Sequence, residues 1–295
     1  MSEAVTQPAA LPPERAGQAA PEDLLARRAM MRGAPSRFPP VEGLKVEEAR
    51  FGGVRSLRIG LGRTPRATVF HLHGGGFRMG APEASVGFGS LLAARTGVQV
   101  IAPAYRLAPE HPYPAGLSDA LAALEGLGAE ELSRLVIAGD SAGGGLAAGL
   151  MRLALSRGIR PLGLMLYSPW IDLTVTAASY QDNAESEKLF PRESAATASA
   201  LYLQGWPASD PLASPLFGDV SGFPPTLINV SEHEVLRDDA VSYAAALQAA
   251  GRDVTLVRTP DMEHTAPTRD PALHGAAEGA AAAVAFLERI LPARA

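Results

Sequence analysis

Short apolar segments alternate with helix-like segments along most of this chain. The segments that read as strands are 67–72, 98–102, 135–138, 162–167, 226–230 and 254–257. Helix-like segments follow most of them, at 84–95, 116–127, 143–156, 239–250 and 271–291. Because two parallel strands need a crossover between them, this order predicts a mostly parallel sheet with helices on both faces.

Two parts of the chain depart from this alternation. A helix is predicted at 21–32, and a Pro-rich break separates it from β-like sequence at 44–61. Residues 174–216 lie between two predicted strands and contain polar, helix-forming sequence in place of one crossover helix. An excursion of that length is typical of a lid or an active-site loop. The 295 residues suffice for one large α/β domain with such an addition, or for two modest domains.

The absence of cysteine narrows the chemistry that is open to the chain. It excludes a disulfide framework, a thiol nucleophile and a zinc site with Cys ligands. The net charge is -5 and the basic residues are scattered, so no nucleic-acid surface is expected. The start of the chain lacks the pattern of a signal peptide, and no apolar run nears the ~20 residues of a membrane span. We therefore expect a cytoplasmic protein without a membrane partner, disordered over about its first twenty residues.

The segment RLVIAGDSAGGG, residues 134–145, contains the motif G-x-S-x-G with Ser141 at its centre. A predicted strand runs into Gly139 and a predicted helix starts at Gly143, which is the strand–turn–helix setting of a nucleophilic serine. Glycine has no Cβ, so the strand and the helix can approach closely around a sharp turn. We interpret Ser141 as a nucleophile. The alternative is a serine that only caps its helix.

Three consecutive glycines, Gly74 to Gly76, follow the predicted strand at 67–72 within the sequence HLHGGGF. Their backbone N–H groups are not shielded by side chains, so the loop can aim hydrogen-bond donors at an oxyanion. His73 is expected to fix the loop by hydrogen bonding. The alternatives are a flexible linker and a phosphate loop without a Walker lysine, although a linker is unusual between a buried strand and a helix.

Several longer motifs occur together in this chain. They are HGGGF at 73–77, YRLAPEHPYPA at 105–115, GDSAGG at 139–144, SPWIDL at 168–173 and DPLASPL at 210–216. In this combination they resemble the hormone-sensitive-lipase-like esterases, bacterial family IV, from about residue 44 to the end of the chain.

The resemblance implies an α/β-hydrolase fold with a mostly parallel central sheet of about eight strands, flanked by helices. It implies a small helical cap of residues 1–45 and 174–216 on a catalytic core of residues 46–173 and 217–295. It also implies a rigid structural loop at 105–115, in which we expect Arg106 and Glu110 to pair.

Backbone amides would form the oxyanion hole in a protein of this family. The positions that match are Gly75, Gly76 and Ala142. Three further residues would support them, namely His73, Gly74 and Asp140.

The general base is expected after the last strand, because the order along the chain in this fold is Ser, then acid, then His. His264 follows the predicted strand at 254–257 and matches the histidine of the family pattern Met-x-His-Gly-Phe. The next residues, Thr265 and Ala266, depart from that pattern. His233 lies between two glutamates and His274 starts an Ala-rich helix, so we favour His264 over both.

The orienting acid has two candidates after the strand at 226–230. The related pattern is Gly-x-x-Asp-x-Leu-x-Asp, which puts Ser231 at the usual glycine and Glu234 at the usual acid. A glutamate can accept the Nδ1–H of the base and stabilise the imidazolium as an aspartate does. Asp238 is the alternative, although a carboxylate in the first turn of a helix often only favours the helix dipole. We favour Glu234.

The resemblance implies a serine carboxylesterase that hydrolyses short- to medium-chain carboxylic esters of small molecules through an acyl-enzyme on Ser141. No metal and no organic cofactor are implied. Two other functions stay open, namely a lactone or amide hydrolase with the same three residues and a non-catalytic small-molecule-binding protein of the same fold. Relatives often dimerise, so a homodimer is possible.

Overall fold

The computed structural model describes residues 9–32, 37–39 and 41–293. An eight-stranded sheet runs through it in the order β1-β2-β4-β3-β5-β6-β7-β8. The strands are β1 Lys45–Phe51, β2 Val54–Gly60, β3 Thr68–Leu72, β4 Gln99–Pro103, β5 Leu135–Asp140, β6 Gly163–Tyr167, β7 Thr226–Ser231 and β8 Val254–Thr259. The β1–β2 and β2–β4 pairs are antiparallel and the others are parallel. The mostly parallel sheet of about eight strands is therefore confirmed.

Helices cover both faces of this sheet. They are α1 Glu22–Arg32, α2 Val86–Thr96, α3 Ala115–Glu125, α4 Ala129–Ser133, α5 Ala142–Ser156, α6 Ser179–Asp182, α7 Arg192–Leu203, α8 Arg237–Ala249, α9 Ala266–Arg269 and α10 Ala276–Ile290. The helices α3, α5 and α8 supply apolar side chains to one core, and α2 and α10 supply the other. The strands from β3 to β6 are buried along their whole length, as parallel strands between two helical layers must be.

The parallel strands place the predicted site residues at one edge of the sheet. Strands β3, β5, β6, β7 and β8 run in the same direction, so their carboxyl ends lie side by side. Ligands and substrates bind at this edge in open α/β sheets, because the loops that follow the strands converge there.

The predicted helix at 271–291 starts later than expected. The structure has an irregular segment up to Gly275 and begins α10 at Ala276. Gly275 has a φ of 76°, and a Cβ on it would lie 2.6 Å from the Cβ of Met262. The chain therefore turns at this glycine, and the helix begins only after the turn.

The residues at 174–216 pack onto the main core. Besides α6 and α7, this segment has a short 3-10 helix, Pro215–Phe217, that extends just beyond it. Its side chains of Tyr180, Phe190 and Tyr202 are buried in the same cluster as the side chains of α3 and α5. This packing connects the excursion to the sheet through a continuous apolar core.

The N-terminal segment makes specific contacts with the rest of the chain from residue 9 onward, although it has no regular structure before α1. The guanidinium of Arg15 donates to the carbonyl oxygens of Leu203, at 2.6 Å, and Tyr113, at 3.3 Å, and lies over the ring of Trp206. Glu14 pairs with Arg106 at 2.6 Å. The first eight residues of the predicted disordered stretch lie outside the described residues.

The expected pair between Arg106 and Glu110 is wrong. Arg106 pairs with Asp119 at 2.8 Å as well as with Glu14, and Glu110 pairs with Arg28 of α1 at 2.6 Å. The segment that carries both residues is not helical, so a spacing of four does not bring their side chains together.

No helix within the described residues is long and apolar enough to cross a membrane.

Arg28 is the anchor of α1. Its Nε donates to the carbonyl oxygen of Arg78 and its Nη2 donates to that of Ala108, both at 2.7 Å, besides the pair with Glu110. Replacing Arg28 with Met keeps the apolar stem but leaves these acceptors without a donor. We expect Arg28→Met to lower the free energy of unfolding by about 2–3 kcal/mol in urea titrations.

The matched control is Arg27→Met. Arg27 neighbours Arg28, but its side chain is 59% exposed and pairs with the exposed Asp23 at 3.8 Å. We expect a change below about 0.5 kcal/mol for this variant, since exposed pairs contribute little. Equal losses in the two variants would contradict the anchoring role of Arg28.

Candidate active site

Ser141 lies at a strained turn between β5 and α5. Its φ is 53° and its ψ is -124°, in a region that residues with a side chain rarely adopt. The two glycines of the motif make the turn possible. A Cβ on Gly143 would lie 2.1 Å from the carbonyl oxygen of Leu72, and one on Gly139 would lie 2.2 Å from that of Gly143. Neither position can hold a side chain, so the spacing of the motif follows from the packing of the turn.

A chain of hydrogen bonds joins Ser141, His264 and Glu234. The Nε2 of His264 lies 3.0 Å from the Oγ of Ser141, and its Nδ1 lies 2.6 Å from the Oε2 of Glu234. Glu234 comes from the loop after β7 and His264 from the loop after β8. An imidazole that donates its Nδ1–H to a carboxylate presents the lone pair of Nε2 to the serine hydroxyl. The arrangement can therefore remove the proton of Ser141.

Glu234 is held rigidly on its other oxygen. Its Oε1 accepts the backbone N–H of Ser231 at 2.6 Å and the hydroxyl of Ser168 at 2.8 Å. The same hydroxyl oxygen accepts the N–H of Thr265 at 3.1 Å, so Ser168 links Glu234 to the loop of His264. Sequence reasoning missed this role of Ser168. The only signal was its place at the head of SPWIDL, directly after a predicted strand.

The competing residues are engaged elsewhere. Asp238 accepts the N–H of Ser179 and the Nε–H of Arg237, at 2.9 and 2.8 Å. His233 pairs with the side chain of Asp261 at 2.7 Å, and the exposed His274 donates to the carbonyl oxygen of Asp261. The geometry brings Glu234, and not Asp238, to His264.

Thr265 shows how the departure from the family pattern is accommodated. It has a φ of 54°, in the left-handed region that favours the glycine of the pattern, and it is buried. Its bond to Ser168 and the start of α9 at Ala266 hold the backbone in this conformation.

The glycine loop lies against the turn of Ser141. Gly74 donates its N–H to Oδ2 of Asp140 at 3.0 Å, and a Cβ on Gly74 would lie 3.2 Å from the Cβ of Ser141. Gly75 and Gly76 have positive φ angles, and their N–H groups donate to no atom of the described chain. Ala142 begins α5, and the first amides of a helix lack intrahelical partners. Gly75, Gly76 and Ala142 therefore have N–H groups available for a ligand.

The residues behind this loop are buried, and burial sets their charge. His73 stacks on Tyr105 at 4.3 Å between ring centroids, and the hydroxyl of Tyr105 donates to the carbonyl oxygen of His73 at 2.6 Å. Burial lowers the pKa of His73 to about 4 and that of His71 to about 3. Burial raises the pKa of Asp140 to about 7. Both imidazoles are therefore neutral at pH 7. The Nδ1 of His73 lies 2.8 Å from the carbonyl oxygen of Gly74 in the loop, and the Nδ1 of His71 lies 2.9 Å from the hydroxyl of Ser85.

The pKa of His264 shifts in the opposite direction to those of His71 and His73. Burial opposes its protonation, but the hydrogen bond to Glu234 and the charges of Glu234 and Glu187 outweigh burial and the nearby Arg269. The pKa of His264 is therefore raised. This environment favours the protonated form of the ring.

An aromatic cluster borders the site. Phe77 stacks on Tyr202 at 3.9 Å between centroids, and Trp170 packs edge-on against Phe190 at 5.0 Å. The ring of Phe190 lies nearly parallel to that of His264, with centroids 5.9 Å apart. Phe190 comes from the segment 174–216, so this segment places an aromatic ring beside His264.

Known proteins share this fold and these motifs. A family described as the alpha/beta hydrolase fold matches residues 69–268. An acetyl-hydrolase of Streptomyces hygroscopicus is 36% identical over 223 residues, covering 75% of each chain. A carboxylesterase of Mycobacterium tuberculosis is 36% identical over 237 residues, covering 76% of this chain and 74% of the relative. The crystal structure of a hormone-sensitive lipase from a metagenome library has a TM-score of 0.84 at 32% identity, covering 91% of this chain and 92% of that one.

The chain therefore belongs to the α/β-hydrolase fold family. Within it, the sequence and the structure place the chain among the hormone-sensitive-lipase-like esterases, as the motifs predict.

The buried carboxyl of Asp140 gives a prediction about stability. Since its pKa rises from 3.8 to about 7 on folding, the unfolded chain releases this proton at lower pH than the folded chain. The group therefore weakens the fold progressively as the pH rises from about 4 to about 7. Asn keeps an oxygen for the N–H of Gly74 but cannot ionise. We therefore expect the free energy of unfolding of Asp140→Asn, relative to that of the wild type, to increase as the pH rises over this range.

Urea titrations at several pH values measure this difference. Asp23→Asn is the control, since the side chain of Asp23 is 71% exposed, and its stability should follow the pH dependence of the wild type. Parallel curves for wild type and Asp140→Asn would contradict the prediction.

Proposed function

We propose that this protein is a serine carboxylesterase in which Ser141 is the nucleophile, His264 the general base and Glu234 the orienting acid. The observation that carries the proposal is the hydrogen-bonded chain from Ser141 through His264 to the buried Glu234. A serine that only capped its helix would need no such partners. The amides of Gly75, Gly76 and Ala142 are the proposed oxyanion hole.

The proposed reaction has two acyl-transfer steps. His264 takes the proton of Ser141 while Oγ attacks the ester carbonyl, and the imidazolium then gives that proton to the leaving alkoxide. The alcohol departs and leaves an ester between the acyl group and Ser141. His264 then removes a proton from water, the hydroxide attacks the acyl-enzyme, and the proton returns to Ser141 as the acid leaves.

The proposed oxyanion hole stabilises the negative charge of each tetrahedral intermediate. Each preorganised donor of this kind contributes about 3–4 kcal/mol to the transition state in comparable enzymes. The N–H groups of Gly75 and Gly76, which donate to no acceptor among the described residues, support this role. The bond from Gly74 to Asp140 supports a loop that is organised before substrate binds.

We further propose short- to medium-chain acyl esters, about C2–C8, as substrates. The ring of Phe190, 5.9 Å from that of His264, supports an apolar acyl site beside the proposed base. The naming of one relative as an acetyl-hydrolase points in the same direction. In this proposal the segments 1–45 and 174–216 form a cap that shapes the site.

The test is hydrolysis of p-nitrophenyl esters from acetate to laurate by wild type and by Ser141→Ala. We expect turnover that is greatest for short chains and that falls by about 10⁶-fold in the variant. Thermal unfolding of Ser141→Ala is the control for its fold. A lactone and a p-nitroanilide, assayed in parallel, distinguish the two alternative hydrolase activities.

Two outcomes would contradict the proposal. A rate maximum at laurate would contradict the proposed preference for short acyl chains but not the proposed esterase activity. Folded wild-type protein that turns over none of these esters would reject the esterase and favour a binding protein or a hydrolase of lactones or amides.

The acid is tested by a matched pair of neutral substitutions. Glu234→Gln removes the carboxylate that holds Nδ1–H of His264, and we expect kcat to fall by about 10³–10⁴-fold. Asp238→Asn changes a carboxylate that is bonded to Ser179 and Arg237, and we expect less than about a threefold change, as for a site away from the reacting groups. If kcat falls strongly in Asp238→Asn and not in Glu234→Gln, Glu234 is not the orienting acid.

A further inference from the structure

A second carboxylate lies beside the base. Glu187, in the connection between α6 and α7, is only 9% exposed. One of its carboxylate oxygens, one of Glu234 and one ring nitrogen of His264 all lie within 4.8 Å of one another. The family motifs single out Glu234 but give no role to Glu187, which belongs to the excursion at 174–216.

The carboxylate of Glu187 is held in this position by the backbone that follows it. Its Oε1 accepts the N–H groups of Leu189 at 2.8 Å and of Phe190 at 3.0 Å. These bonds close a tight turn, and the turn places the ring of Phe190 parallel to that of His264. The position of the carboxylate and that of the aromatic ring are therefore set together.

The segment before Glu187 is attached to the loop of the acid. The side-chain amide of Asn183 donates to the carbonyl oxygens of Glu232, at 2.9 Å, and Glu234, at 2.8 Å. The hydroxyl of Ser186 donates to the carbonyl oxygen of His233 at 2.8 Å. These three bonds hold the segment of Glu187 against the loop that carries Glu234, so the distance between the two carboxylates is set by the fold.

We propose that Glu187 is a positioning residue for ester hydrolysis, one that stabilises the protonated form of His264 by its charge and holds Phe190 against the imidazole. The inference rests on the proposed function, because it assigns His264 as the base. Glu187 acts through His264 and Phe190 and needs no contact with the substrate. In each acyl-transfer step the imidazolium then faces two carboxylates, Glu234 through a hydrogen bond and Glu187 through space.

Other charged groups also surround His264. Arg269 of α9 donates to its carbonyl oxygen at 2.9 Å and opposes protonation of the ring, and the carboxyl of Asp140 at the end of β5 interacts with it. A cavity of about 430 Å³ beside Glu234 and His264 is lined by further ionisable residues, namely Glu187, Lys188, His233, Asp261 and Glu263. Of these, Asp261 pairs with His233 and Glu263 pairs with Arg269. Glu187 contributes directly to the raised pKa of His264.

The first experiment compares Glu187→Gln with Glu185→Gln. Gln keeps an oxygen that can accept the N–H groups of Leu189 and Phe190 but removes the charge. Glu185 is exposed in the same segment and serves as the matched control for a lost charge. We expect the acidic limb of kcat/KM for p-nitrophenyl acetate to move to lower pH by about half a unit to one unit in Glu187→Gln only.

The rate at pH values above the acidic limb, where kcat no longer changes with pH, gives a second readout. The charge of Glu187 that shifts the acidic limb also stabilises the imidazolium in the transition state. This plateau kcat should therefore fall by about three- to tenfold in Glu187→Gln. Glu187→Ala also removes the acceptor of the turn, and we expect it to raise KM for p-nitrophenyl hexanoate beyond its effect on kcat. An acidic limb that coincides in wild type and Glu187→Gln, or that shifts equally in Glu185→Gln, would overturn the proposal.

A direct titration separates this inference from the proposed function. The ring of His264 is followed by NMR in Ser141→Ala and in Ser141→Ala/Glu187→Gln, where no turnover is needed. A midpoint that is lower in the double variant supports the electrostatic role even if the wild type hydrolyses no ester. Equal midpoints would overturn the role of Glu187 even if the wild type is an active esterase.

Discussion

The buried carboxylate of Glu234 is the interaction on which the geometry of the site depends. Its two oxygens meet three separate parts of the chain, the end of β7, Ser168 after β6, and His264 after β8. A carboxylate that is 2% exposed is costly unless all of its lone pairs are used. The hydrogen bonds that stabilise this buried carboxylate therefore hold three loops in fixed positions relative to one another. The turn at the end of β5 positions Ser141.

The sequence predicts those features whose cause is local. At Gly139 and Gly143 the backbone packs so closely around the turn of Ser141 that a side chain would clash. The motif G-x-S-x-G therefore predicts this turn from the sequence alone. The alternation of strands and helices predicts the parallel sheet. The order of Ser, acid and base along the chain is what the resemblance to the α/β-hydrolase fold implies.

Features that depend on residues far apart in the chain could not be predicted. Ser168 lies 66 residues from Glu234, and Asn183 lies 51 residues from it. Only the assembled fold brings these side chains together. The pair expected between Arg106 and Glu110 failed for the same reason, because each finds its partner in the N-terminal segment or in a helix.

The N-terminal segment helps to hold the excursion at 174–216 in place. Arg15 holds the carbonyl oxygens of Leu203 and Gln204 at the end of α7, while Asn183 and Ser186 hold the other side of the same excursion. A segment fastened at both sides cannot swing as one hinged flap. The ordering of this segment is completed when the chain folds, so under the proposed function we expect substrate binding to lose little conformational entropy there.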